Sequence, residues 1–288
     1  MHRPARFIPF LLLVAALMLS VSPGRSDLPR HQGFPGGVSL VPLGQHEHKP
    51  NAFFGLEPVL VIRDEDEWLA VVGLPMDIAP GKYLLRVAPD DDGAGRHGTH
   101  AFTVHPLHPR YRQRAIRLPR ELAPRQLAGP DNREIVAIDE RPMSEHTGPV
   151  ADFQFVHVIA SGSFVPYGRI VTRTDDVDAF LQDHPWLTYL TSPGETARAP
   201  GRGVVERGLS PDAPGQGVII RHAEHFRSIL TFMGDSPVAA GDTIETGQPI
   251  GTASLDESIG SGRIDWHLLL NGVPVDPLLF VNGSSAAP

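Results

Sequence analysis

Residues that interrupt regular structure recur too densely in this chain for long helices. Glycine and proline number 29 each among 288 residues, about a fifth of the total. They cluster as Pro35-Gly36-Gly37, Ala79-Pro80-Gly81 and the acidic turn Asp90-Asp91-Asp92-Gly93. Between them lie short apolar runs such as Val38 to Val41, Pro58 to Ile62, Trp68 to Leu74, Tyr83 to Val87 and Ala101 to Val104. Short apolar runs bounded by turn formers read as strands, so the chain is expected to be mostly β. With 41% hydrophobic and 20% charged residues it can bury a core and is not disordered.

Three function classes are excluded early. The formal net charge of -8 leaves no electrostatic footprint for a nucleic-acid backbone. The absence of cysteine removes a disulfide framework, a thiolate metal site and a cysteine nucleophile together. No Gly-rich phosphate loop leads into a helix, because Gly201-Arg202-Gly203 precedes a strand pattern.

Arg3 and Arg6 precede an apolar run from Phe7 to Leu19, followed by small residues and turn formers up to Ser26. That order predicts a secretory signal over residues 1–26 and hence a secreted or periplasmic protein, with an uncleaved N-terminal membrane anchor as the alternative. Residues 33–105 read as an N-terminal antiparallel β domain. Residues 106–150 read as a proline-rich connector with a short helix over Asn132 to Glu140, capped by Asp131 and ended before Pro142. Strands return over 153–281, beginning with Phe153 to Ala160, and Val177, Phe180 and Leu181 suggest one or two helical turns over 176–182. The acidic run Asp64 to Glu67 reads as a solvated hairpin tip.

The second half carries an ordered set of motifs. Val158-Ile159-Ala160-Ser161-Gly162-Ser163-Phe164-Val165-Pro166-Tyr167-Gly168-Arg169 comes first. It is followed by Ala199 to Gly208, Val218 to Ala223 and Leu230 to Met233, then by Gly241-Asp242-Thr243-Ile244-Glu245-Thr246-Gly247-Gln248-Pro249-Ile250-Gly251. The stretch Asp265-Trp266-His267 through Asn271-Gly272 to Val275-Asp276-Pro277 closes the set. In this order they resemble the lysostaphin-type, or LytM-like, zinc endopeptidases of bacterial cell walls over residues 153–281. Residues 33–113, notably Trp68 to Pro75 and Phe102 to Gln113, resemble the β prodomain of such enzymes. The resemblance implies a C-terminal β domain with the open groove of that family, and a zinc ion held by an H-x-x-x-D motif and the second histidine of H-x-H. The first histidine of H-x-H and one in a Y-x-H segment would assist proton transfer.

Laid on those motifs, His184-Pro185-Trp186-Leu187-Thr188 keeps the histidine and has Thr188 at the carboxylate position. Alignment on Trp266 and Asn271-Gly272 puts Arg263 and Asp265 at the two H-x-H positions, and Phe232-Met233-Gly234 puts Gly234 at the Y-x-H histidine. A neutral hydroxyl is a poor zinc ligand, and a guanidinium is neither a base nor a neighbour for a cation. The resemblance therefore implies a degenerate, non-catalytic member that needs no cofactor. It would bind peptidoglycan or a cell-wall hydrolase, with His184, Thr188, Gly234, Arg263, Asp265 and His267 as groove contacts. A slip of two residues leaves an alternative open, an active zinc endopeptidase whose metal is held by His184, Asp265 and His267, since residues two apart on a strand face one side.

Overall fold

The computed structural model describes residues 28–88, 98–107, 114–116, 153–174, 177–209 and 216–281. Their regular structure is strand, apart from a one-turn 3-10 helix at Pro277–Leu279. The predicted signal over 1–26 and the helix over 132–140 lie outside the described residues.

Two antiparallel sheets form the N-terminal part. One has the order Val38–Gly44, Glu67–Gly73, Leu60–Asp64; the other runs Glu57–Pro58, Asn51–Phe54, Gly81–Ala88, Gly98–Val104. Val41, Val61, Ala70 and Val72 face Leu85, Val87 and Val104 between the two sheets. Val38, Leu60 and Val71 point the opposite way and join the core of the C-terminal part. Burial of both faces explains why Leu69-Ala70-Val71-Val72 is an unbroken apolar run rather than an alternating one. Asp64 and Glu67 pair across a tight turn whose Glu65 is left-handed and exposed, as expected of a hairpin tip.

The C-terminal part is built on a long antiparallel sheet. Its order is Thr243–Ile244, Gly203–Leu209, Gln216–Ala223, Phe226–Met233, Ser261–Leu270, Leu187–Thr191 and Ser163–Val165. Ser261–Leu270 is the central strand and is buried along nearly its whole length. Asn271 and Gly272 both have positive φ, 55° and 72°, and turn this strand back onto Val273–Val275. The same Asn271 side chain joins the two halves of the molecule, accepting from Leu60 N–H at 2.8 Å and donating to Val71 O at 2.9 Å. Gly73 is required at this junction, because a Cβ there would lie 2.6 Å from the Leu270 carbonyl oxygen.

Two local expectations are corrected. Of the helical turns expected over 176–182, the described residues 177–182 form none: Val177–His184 is a strand paired antiparallel with Gly168–Thr174, which itself pairs in parallel with Arg114–Ile116. Over so few residues, apolar spacing fits either period, and the partner strand decides. Phe153 to Ala160 is not a strand either, but irregular chain with a single bridge from Phe155 to Val281. Its alternating apolar residues reflect packing of Phe153 and Phe155 against Phe226 and Phe280 in the core, not a ladder.

Candidate functional site

The central strand and its neighbours bring five of the six expected positions together. Asp265 lies opposite Thr188 on one side and opposite Thr231 on the other. Arg263, Asp265 and His267 share a face because side chains alternate along a strand. Trp266 takes the other face, where its ring lies parallel to that of Phe155 and its indole N–H donates to Ser228 Oγ at 3.0 Å. His184, Thr188, Asp265 and His267 are fully buried and Arg263 is 1% exposed. Gly234, half-buried at the end of its strand, donates its N–H to Thr252 O, and a Cβ there would meet Thr252 Oγ1 at 2.8 Å.

Hydrogen bonding at the centre runs through Asp265. The Arg263 fork donates from Nε to Asp265 Oδ1 at 3.0 Å and from Nη2 to Oδ2 at 2.6 Å. Its Nη1 donates to Asp256 Oδ2 at 3.1 Å, and the guanidinium carbon stands 4.0 Å from the centroid of the Phe232 ring. Phe232 has φ 60°, the left-handed region that costs a bulky side chain on the order of 1–3 kcal/mol, so this cover over Arg263 is held against local preference. The Thr188 hydroxyl donates to Asp265 Oδ1 at 2.6 Å and accepts from Trp186 Nε1 at 3.1 Å. His184 Nε2 lies 3.3 Å from the same hydroxyl oxygen. Because that hydroxyl's one proton goes to Asp265, His184 fits here as the Nε2–H tautomer, with Nδ1 unprotonated. The Trp186 ring is 4.4 Å from the His184 ring and 4.9 Å from that of His267, centroid to centroid.

The charges follow from these contacts. Burial favours the neutral form of Arg263, but Asp265 and Asp256 more than offset it, so the guanidinium is held above its usual range and stays charged. Burial first, then the positive charge of Arg263, depresses His267 to about 3. His184 is likewise lowered to about 3, mainly by burial, with His267 and Arg263 contributing. Both imidazoles are neutral near pH 7. His184 Nδ1 and both nitrogens of His267 are buried without a hydrogen-bond partner.

Whether these residues fit the zinc ion implied by the motifs is decided by Asp265 and Arg263. The neutral imidazoles are suitable donors, but both oxygens of the only carboxylate among the six are engaged by a guanidinium. A divalent ion on that carboxylate would stand against a fixed positive charge. Among the described residues no group of three or more His, Asp or Glu side chains is arranged to hold a metal ion. The set does not fit zinc. It forms a filled polar centre in which an internal cation neutralises the carboxylate.

Three participants were not foreseen from sequence. Asp256 comes from the strand Ser254–Asp256, hairpin partner of the central strand, and the turn-forming Glu257 to Gly260 stretch was the available signal. Phe232 was visible as an aromatic but not as the cover of Arg263. Trp186, inside the H-x-x-x-D segment, gave no sign that its ring would stand beside both histidines.

Comparison with known proteins places these features in context. Residues 31–103 match the model of the peptidase family M23 N-terminal domain and residues 183–277 that of peptidase family M23, together more than half of the chain. A Pseudomonas aeruginosa chain described as a peptidase M23 is similar in structure, with 23% identity, a TM-score of 0.61, and coverage of 87% of this chain and 96% of that one. Helicobacter pylori Csd3 aligns at 20% identity over 48% of this chain and 36% of its own, with a TM-score of 0.36. The catalytic domain of a variant of the prophage-encoded M23 protein EnpA from Enterococcus faecalis aligns at 22% identity over 44% of this chain and 98% of its own, with a TM-score of 0.33. No curated protein matches the sequence.

Proposed function

The chain belongs to peptidase family M23, and from that premise we propose that it is an exported, peptidoglycan-associated protein whose peptidase-like domain does not hydrolyse. The observation that carries this is the buried Arg263–Asp265 pair, bonded at 3.0 and 2.6 Å where the family motif has its two histidines. Hydrolysis in this family depends on a metal that activates water. A guanidinium supplies positive charge but no open coordination position, and it cannot take a proton. The other substitutions act the same way: Thr188 brings no negative charge, and Gly234 brings no base. The retained two-part architecture then serves to bind the wall, or to hold a hydrolase that acts on it, rather than to cut.

Calorimetric titration of the purified protein with Zn²⁺, paired with clearing of peptidoglycan sacculi with and without chelator, tests this reading. No zinc uptake and no clearing are expected. Stoichiometric binding at micromolar affinity, or clearing that chelator abolishes, would restore the zinc endopeptidase alternative with His184, Asp265 and His267 as ligands. That alternative draws its support from the unpartnered imidazole nitrogens.

A further inference from the structure

The sheet Glu57–Pro58, Asn51–Phe54, Gly81–Ala88, Gly98–Val104 buries one face against the rest of the N-terminal part and, among the described residues, presents exposed side chains on the other. The alternation is clean: Leu85 and Val87 are buried, whereas Lys82, Leu84 and Arg86 are exposed, as are Thr99 and Thr103 on the neighbouring strand. Leu84 is 63% exposed at the centre of this face. Arg86 lies over the half-buried ring of Phe53, 5.1 Å from its centroid, which restrains an exposed guanidinium and lowers the entropy lost when it binds. The three longer strands of this sheet contain no Asp or Glu, in a chain of net charge -8. Neither Lys82 nor Arg86 makes a salt bridge among the described residues.

We propose that this outer face is the wall-binding surface, and that it takes peptidoglycan through the carboxylates of its peptides. The inference rests on the peptidoglycan association proposed above and adds the surface that makes it. Lys82 and Arg86 are four residues apart on one strand, about 13 Å. That distance is too long for one carboxylate and suits a polymer bearing carboxylates at intervals. Leu84 lies between them as an apolar contact, and the hydroxyls of Thr103 and Thr99, opposite Lys82 and Arg86, supply donors and acceptors for a sugar. A membrane fits less well, because lipid-binding surfaces cluster about four to eight basic residues, and this face has two.

Co-sedimentation of the full chain with purified sacculi at low and raised salt tests the assignment. K82E/R86E is compared with R63E/R202E, which makes the same change of charge at exposed positions elsewhere, and melting curves establish that both fold. Wild type and R63E/R202E should pellet, K82E/R86E should lose at least tenfold in apparent affinity, and Leu84→Ser should weaken binding several-fold. Equal binding by the two double variants, or an equal loss, overturns this surface and leaves the peptidoglycan reading in place. Wild type that stays in the supernatant overturns the peptidoglycan reading and this inference with it. A K82E/R86E defect seen only on phosphatidylglycerol vesicles overturns the choice of partner.

Discussion

Arg263 and Asp265, two residues apart on the central strand, face the same side and are joined by two hydrogen bonds with almost no exposure to water. Breaking one partner of a buried ion pair leaves the other charged and unsolvated, at a cost of about 3–5 kcal/mol, whereas replacing both with apolar groups can be nearly neutral. Arg263→Met and Asp265→Leu are each expected to lower stability by about that amount. The double variant should lose much less than the sum. Urea unfolding across the four-protein cycle checks this, and additive losses would mean that the pair is not coupled.

Thr188→Asp alone restores the family carboxylate but leaves Arg263 in place. No zinc uptake is expected from it. The triple variant Thr188→Asp/Arg263→His/Asp265→His removes the internal cation and supplies the missing donors, and it should bind one zinc ion by metal analysis and calorimetry. Zinc binding by the single variant would show that Arg263 does not exclude the metal.

His184 and His267 are lowered to about 3 in the folded protein from an ordinary value of 6.5. Between those values the unfolded chain binds protons that the folded chain does not, so folding stability rises with pH from about 3 to 6.5 and is level above it with respect to these groups. The two histidines together contribute a slope of up to about 2.7 kcal/mol per pH unit in that window. Urea midpoints measured between pH 4.5 and 7.5 should climb less steeply, or fall more, in His267→Leu than in wild type. An unchanged slope in that variant would exclude His267 as a source.

Asn271 combines a left-handed backbone with two hydrogen bonds to the N-terminal part. Asn271→Gly keeps the turn and deletes the bonds, which leaves Leu60 N–H and Val71 O unsatisfied, at a cost of about 2–4 kcal/mol. Asn271→Ala adds backbone strain and should be worse. Thermal unfolding of the two variants separates the contributions, and a Gly variant as stable as wild type would mean that these bonds do not hold the halves together.

Much of the β architecture was legible in the sequence because it depends on local chemistry. Pro35-Gly36-Gly37 and Ala79-Pro80-Gly81 bracket strands for reasons of backbone geometry. The identity of the residues at the family positions was legible too: a threonine, an arginine and a glycine stand at 188, 263 and 234 whatever the fold does. What the sequence left open depends on neighbours distant along the chain. Val177–His184 is a strand because Gly168–Thr174 pairs with it, and Phe153 and Phe155 are core packing because Phe226 and Phe280 meet them. The largest difference is at Arg263. From its position alone it read as a charge that would repel a metal and could contact a ligand. Only the register that brings Asp256 and Phe232 to it makes it a buried internal cation, because the ionisation and bonding of a polar side chain are set by the groups that enclose it, and those two come from other strands.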